Sequence, residues 1–448
     1  MMTNAMSGTA ALARPTSSTA GVRVSTTGRL FISVMLILIF EGAIRKWISG
    51  SSTLPLILLR DLLAGYVVVR ALSHGHFRHQ RAVLQVLMLW SACVLGWGLL
   101  QLTLGESNFP VLLIGLRFWL LYVWFAVAAA AGMSERDYIA ALRALLISLV
   151  VMAPLVVLQR YSPPGAFVNK SLEGEEEDIF VVIAGVVRTT GTFSFTSGYT
   201  IFLNTCAPFA LGAFEARKRT TWHRVLAMAV LAALVICTLV SGARASFVYA
   251  GMMLGLFLLG NLLFAPMRRK GIALVAAVLA LLLVAMLASL FQGAVDAIQE
   301  RFQVAAQSED FFSRTLSIFL GEPGTLERAS WLGAGLGIGS NLAQYVQTGG
   351  RVVFVYAETE AGRTLIEGGV LGVLFILLKL GTIALGMTVA LKRAIKTRAV
   401  FPLLVWVALA LAMLTWPAIG QLTANGMLAV LLALGLLSLR YPQLRLFG

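Results

Sequence analysis

Runs of about 20 consecutive apolar residues recur along nearly the whole of this 448-residue chain, and nothing constrains its fold more. A helix needs about that many to cross the roughly 30 Å of bilayer hydrocarbon. Inside hydrocarbon every backbone N–H and C=O must be satisfied within the structure, which leaves helices or a closed barrel. The runs are continuous and do not alternate apolar with polar residues, so helices are the solution. The composition agrees, with 59% hydrophobic residues, 12% charged and a mean hydropathy of +0.87. The expected class is an all-α, polytopic integral membrane protein. Its spans, about twelve in number, are expected near 30–44, 54–72, 82–104, 111–131, 139–158, 198–214, 225–240, 245–264, 272–291, 364–391, 400–415 and 426–439.

The net charge of +15 does not point to nucleic acid, because the basic residues fall in short segments between spans. Alternating the spans from a cytoplasmic N-terminus places Arg78 and Arg81, Arg217 to Arg219, Arg268 to Lys270, and Lys392, Arg393, Lys396 and Arg398 on one side. That is the positive-inside pattern, and it predicts a multi-pass membrane protein with both termini cytoplasmic. Residues 1–29 are rich in Ser, Thr, Ala and Gly and carry no acid, as expected of a disordered cytoplasmic tail. Residues 30–448 read as one transmembrane domain with two large outer loops, 159–197 and 292–361. Cys93, Cys206 and Cys237 lie within expected spans, so neither a disulfide nor a metal site is expected, and no cofactor. No internal repeat is visible, which weighs against a transporter.

Ionisable residues inside spans need partners. Arg60 and Asp61 fall about 9 Å into the second span, at about 1.5 Å per residue, and Arg117 is at similar depth in the fourth. Neighbours on a helix do not face each other, so Asp61 with Arg117 is the natural pair. Such a pair could fix helix packing or line a cavity for an anionic headgroup. In EGAIRKW, Glu41 and Arg45 are four residues apart and read as an interfacial anchor.

The outer loops hold the other candidates. An acidic run, Glu173 to Asp178, has no ligand-like spacing. Arg188 opens RTTGTFSFTSGY, where hydroxyls and backbone donors could meet phosphate oxygens. Arg244 sits in the tight SGARAS hairpin, placed to turn a forked guanidinium toward the bundle or to snorkel to headgroups. In the late loop, 295–307 and 309–320 suit amphipathic surface helices. The run Gly333 to Gly339 matches no nucleotide fingerprint, and close backbone packing is the better reading. At the loop's exit Glu360, Arg363 and Glu367 share a helical face, as a salt-bridge ladder would. Glu358 lies off that face near a helix start, where the dipole favours a carboxylate able to accept a proton from a hydroxyl.

Taken as an ordered set, RTTGTFSFTSGY, SGARAS, GAGLGIGSN and ETEAGRTLIEGGVLG, with EGAIRKW near the start, resemble the O-antigen ligase and O-antigen polymerase superfamily of bacterial envelope enzymes. The resemblance covers about Glu41 to Leu391. It implies a GT-C-like glycosyltransferase fold with a large periplasmic loop, moving glycans from an undecaprenyl diphosphate carrier to an acceptor sugar without nucleotide sugar or metal. It implies that Arg188 and Arg244 hold the diphosphate, with Arg60, Asp61, Arg117 and Arg363 as possible supporting residues.

Ligases of that family carry a histidine just before the helix marked by Glu-x-Gly, and counting back from Glu367-Gly368-Gly369 reaches the neighbourhood of Glu358. This sequence departs there, since His74, His76, His79 and His223 are all expected on the cytoplasmic side. Either Glu358 or Glu360 takes the role, or the acceptor needs no strong base. The departure favours an O-antigen or exopolysaccharide polymerase over a ligase. A transporter or flippase using Arg60, Asp61 and Arg117, and a scaffold for envelope polysaccharide assembly proteins, are the readings of other classes.

Overall fold

The computed structural model describes residues 24–442 apart from 79, 171–180, 183–185, 216–220, 265–266, 294, 297–298, 300–302, 304–310, 349–356 and 358. The chain is a helical bundle. In order, its helices are α1 Thr26–Trp47, α2 Thr53–Ser73, α3 Arg81–Thr103, α4 Phe109–Gly132, α5 Glu135–Tyr161, α6 Thr196–Gly212, α7 Thr221–Val240, α8 Arg244–Phe264 and α9 Met267–Leu290. After these come α10 Phe311–Leu320, α11 Asn341–Thr348, α12 Glu360–Gly368, α13 Val370–Thr397, α14 Phe401–Thr415 and α15 Leu422–Arg440. The strands described are a two-residue hairpin, β1 Val181–Val182 with β2 Val186–Val187.

Among the described residues nine helices are long and apolar enough to cross a membrane: α1 to α5, α7, α8, α13 and α15. The chain is therefore a multi-pass, all-α membrane protein. Three of the twelve expected spans fall outside the nine, on α6, α9 and α14. Helix α6 has 17 residues and is buried on every side from Gly198 to Gly212, with Asn204 and Thr205 inside. A helix shielded by its neighbours need not be apolar enough to face lipid. Helix α14, 15 residues long, packs against α6 and α15. Helix α9 carries its charges at Arg268, Arg269 and Lys270 and none from Gly271 to Leu290, so its sequence still suits a span. The lipid-like surface lies on the exposed leucines and valines of α2, α3, α8, α9 and α13.

The expected span 364–391 is not continuous. Gly369 adopts φ +53° between α12 and α13, where a Cβ would fall 2.2 Å from the Trp331 carbonyl oxygen. Only glycine allows that approach. Helix α12 thus lies apart from the span that begins at Val370.

The helix ends fix which loops meet. At one end Ser25 caps α1, and Asp137 of the α5 capping box accepts hydrogen bonds from Ser25 N at 2.7 Å and Ser25 Oγ at 2.8 Å. His76 and Gly132 adjoin Thr27 at this same end. The C-terminal ends of α1, α3, α5, α7 and α14 and the N-terminal ends of α6, α8, α13 and α15 gather at the other. The described outer-loop candidates Arg188, Arg244, Glu360, Arg363 and Glu367 lie there.

Candidate functional site

Three groups of charged residues are built at or below that end. The deepest joins α1, α2 and α4. Arg117 forks onto both oxygens of Asp61, with Nη2 to Oδ1 at 3.0 Å, and Tyr122 Oη donates to the same Oδ1 at 2.8 Å. Arg60, fully buried, donates through Nη1 to Glu41 Oε2 at 2.8 Å, and its Nε stands 3.7 Å from Asp61 Oδ1. The Asp61–Arg117 pair is the expected one. In EGAIRKW, Glu41 and Lys46 are buried within the protein, Glu41 on Arg60 and Lys46 on Thr190 and Gly191. Two acids face two arginines, so the charges cancel within the group. A π-helical turn at Arg117–Leu121 interrupts α4 where this network forms. Such turns re-aim side chains at the cost of regular helix hydrogen bonding.

The second group surrounds the late loop's exit, and here the ladder expected on α12 gives way to other contacts. Glu360 Oε1 pairs with Lys379 Nζ of α13 at 2.6 Å, and its Oε2 accepts from Ile419 N at 3.0 Å. With both oxygens engaged, Glu360 is a clasp between α12, α13 and the α14–α15 loop, and as placed it is no base. Arg363 Nε donates to Ala357 O at 2.7 Å, and a Cβ on Gly420 would strike its Nη1.

Glu367 is fully buried and held by the glycine run: Gly337 N and Gly339 N donate to it at 2.9 Å each, and Trp119 Nε1 at 3.1 Å. Burial pushes this carboxyl, outside the nine spans, up to about 7 against the pull of those donors. Gln101 holds the same loop through Leu332 O at 2.7 Å and Leu336 N at 2.9 Å. Leu336 sinks among Trp90, Phe118 and Trp119. The glycine segment is thus packed into the bundle and does not lie over it as a lid. Glu358 lies outside the described residues, as does most of 295–307.

The third group is assembled around the RTTG turn. Gln159, in the last turn of α5, accepts from Gly191 N at 2.8 Å and donates to Gly191 O at 3.1 Å. Lys46 Nζ donates to Thr190 Oγ1 and to Gly191 O, both at 2.9 Å. Gly191 has φ +56°, and a Cβ on Gly42 would lie 2.5 Å from Thr192 O, so α1 and the turn touch backbone to backbone.

This pinned turn delivers Arg188 to the hairpin between α7 and α8. A Cβ on Gly242 would lie 3.9 Å from Arg188 Cγ and 4.0 Å from Arg160 Nη1, so both side chains pass over the hairpin. Burial, and after it the like charge of Arg244, hold the Arg188 guanidinium below its ordinary range. Arg188 and Arg244, both expected from the sequence, are therefore neighbours, and Arg160 is a third cation that sequence reasoning missed.

Arg160 Nη2 donates to Gly293 O at 3.0 Å, where the late segment begins. Its Nη1 and the Arg188 Nε are buried with no hydrogen-bond acceptor among the described residues. Nor does any described carboxylate form an ion pair with either. Buried N–H groups of this kind cost about 1–3 kcal/mol each, more when charged, unless something accepts them. A polyanion has the chemistry to do so.

The second and third groups are linked by contact. A Cβ on Gly198, at the end of the RTTGTFSFTSG segment, would lie 3.4 Å from Thr423. A few residues earlier, in the loop that leads into α15, Ile419 and Gly420 meet Glu360 and Arg363. Arg60, Asp61 and Arg117 are not part of the arginine patch; α1 touches both groups, through Glu41 on one side and Gly42 and Lys46 on the other. Compared with protein-family models and with curated proteins, the chain matches none of either.

Proposed function

We propose that the chain is a GT-C-like glycosyltransferase that transfers a glycan from an undecaprenyl diphosphate carrier to an acceptor sugar at the outer face of a bacterial inner membrane. The observation that carries this is the patch of Arg160, Arg188 and Arg244, in which Arg160 Nη1 and Arg188 Nε are buried with no acceptor among the described residues and no described carboxylate pairs with Arg160 or Arg188. In this reading the basic segments at the opposite end are cytoplasmic and both termini lie inside.

The acceptor hydroxyl oxygen attacks the anomeric carbon, the carbon–oxygen bond to the diphosphate breaks, and undecaprenyl diphosphate leaves with the bonding electrons. Fixed guanidinium groups stabilise the charge that gathers on the leaving oxygens. The hydroxyl proton goes to Glu358, since Glu360 is taken by Lys379 and Ile419. The intramembrane charges that motivated a transporter are paired with one another, Arg60 with Glu41 and Arg117 with Asp61, which weakens that reading. Polymerase is preferred to ligase because the outer-face histidine implied for ligases is not in the sequence at that place.

Purified protein in detergent, given a lipid-linked repeat unit, should lengthen it. Arg188→Ala and Arg244→Ala should each lower the rate by about 10²–10³-fold. Full activity in both variants would end the diphosphate assignment. Sizing of surface glycan after gene deletion separates the alternatives: single units for a polymerase, unattached lipid-linked polymer for a ligase, unflipped units for a flippase.

A further inference from the structure

Resting on that function, we infer that Arg160 is a catalytic residue that engages the diphosphate as it leaves, supplying the positive charge that the intact donor does not yet need. The argument starts from charge. A diphosphate esterified at both ends carries about two negative charges. Breaking the sugar–oxygen bond frees a terminal phosphate, whose second ionisation near pH 6 adds about one more at neutral pH. Arg188 and Arg244 are the cations assigned to the donor, and Arg160 is a further cation placed beside Arg188.

The placement of Arg160 fits that surplus role. It stands at the C-terminal end of α5, where the helix dipole favours a cation. It is 8% exposed, and its fork is divided. Nη2 is fixed on Gly293 O at 3.0 Å, which sets the plane of the guanidinium, and Nη1 turns toward Gly242 and Arg188 with no acceptor among the described residues. The preceding residue, Gln159, fixes the turn that carries Arg188. One turn of helix therefore sets the positions of two of the three arginines. A group pre-positioned for charge that appears only on bond breaking raises kcat without tightening the ground state.

The test uses the full-length protein in detergent with a lipid-linked repeat unit as donor, and undecaprenyl diphosphate, undecaprenyl phosphate and inorganic diphosphate as separate inhibitors. For Arg160→Gln, kcat should fall about 100-fold with KM within about 3-fold. Inhibition by undecaprenyl diphosphate should weaken by at least about 10-fold, while the smaller inhibition by undecaprenyl phosphate barely moves. Arg160→Lys, which keeps the charge but loses the fork, should recover part of kcat, and it carries the test if the glutamine variant does not fold. Inorganic diphosphate inhibiting as well as the lipid would make the site one for the free anion, and would overturn the leaving-lipid assignment. If Arg160→Gln, or Arg160→Lys in its place, keeps wild-type kcat and wild-type inhibition while Arg188→Ala and Arg244→Ala lose both, Arg160 is only a tether for Gly293 and the inference is wrong. Wild-type behaviour in all the arginine variants would instead remove the patch, and with it the proposed function.

Discussion

Two groups of arginines, each with one buried and the rest half-buried, lie on either side of α1, and they differ in what surrounds them. Below the helix end, Arg60 and Arg117 face Glu41 and Asp61, with Tyr122 completing the set. Above it, Arg160 and Arg188 are held against each other and near Arg244, anchored by backbone carbonyls, a lysine and a glutamine. A charge set that closes on itself does mechanical work, fixing which helices pack and in what register. A set that gathers cations, with no described carboxylate paired to Arg160 or Arg188, loses stability in the empty state through their mutual repulsion, a loss that a bound anion would recover. The first group therefore reads as structure and the second as a site, although both are arginines at the same end of one bundle.

Breaking each group should show the difference most sharply in stability. Arg60→Ala leaves Glu41 buried without its cation and should destabilise the protein by about 3–5 kcal/mol, read as loss of folded material in detergent melting. Arg188→Ala, by contrast, removes a cation repelled by its neighbour and should leave melting unchanged or slightly raised while activity falls. An equal stability loss in both variants would erase the contrast. Lys379→Ala, which strands Glu360 at the exit clasp, should fall between them at about 1.5–3 kcal/mol.

How much of this was legible in the sequence follows from which interactions are local. Apolar runs announce helices because each span must satisfy its own backbone, and Asp61 with Arg117 followed from the need of intramembrane charges for partners. Glu41 was misplaced because its position near a span end looks interfacial, whereas its partner Arg60 lies across a helix turn-around. Glu360 seemed to pair along its own helix with Arg363 by periodicity, yet Lys379 reaches it from the next helix. The break at Gly369 is set by Trp331, distant in sequence, so the run 364–391 looked unbroken. Arg160 was invisible for a similar reason. In QRYSPPG it resembles any basic residue closing a helix, and only the tertiary approach of Gly242 and Gly293 sets it apart.

Glu367 offers a pH test of the acid side of the comparison. Its native pKa is raised from 4.5 to about 7 by burial, so the folded state binds a proton that the unfolded state has lost across that interval. The stability from this group is then complete below about pH 4.5 and is lost as pH rises through about 7. Melting temperature should decline from pH 5 to pH 8 by a few degrees, and the decline should flatten in Glu367→Gln. The glutamine variant should also melt lower at acid pH, because an amide nitrogen cannot accept from Gly337, Gly339 or Trp119. A wild-type slope unchanged in the variant would assign the pH effect to other groups.

The smallest effect expected separates a site from a merely unfavourable cluster. A ligand that binds the folded state at ten times its Kd adds about 1.4 kcal/mol, which for a protein of this size amounts to about 2 °C or less in Tm. Undecaprenyl diphosphate should produce that shift in the wild type and in a variant of the balanced group that still folds, such as Tyr122→Phe, which removes one hydrogen bond to Asp61 and no charge. It should produce none in Arg188→Ala. A shift that survives loss of Arg188 would place the anion elsewhere. A shift abolished by Tyr122→Phe would mean that the two groups are coupled through α1, whose Glu41 and Lys46 reach one group each.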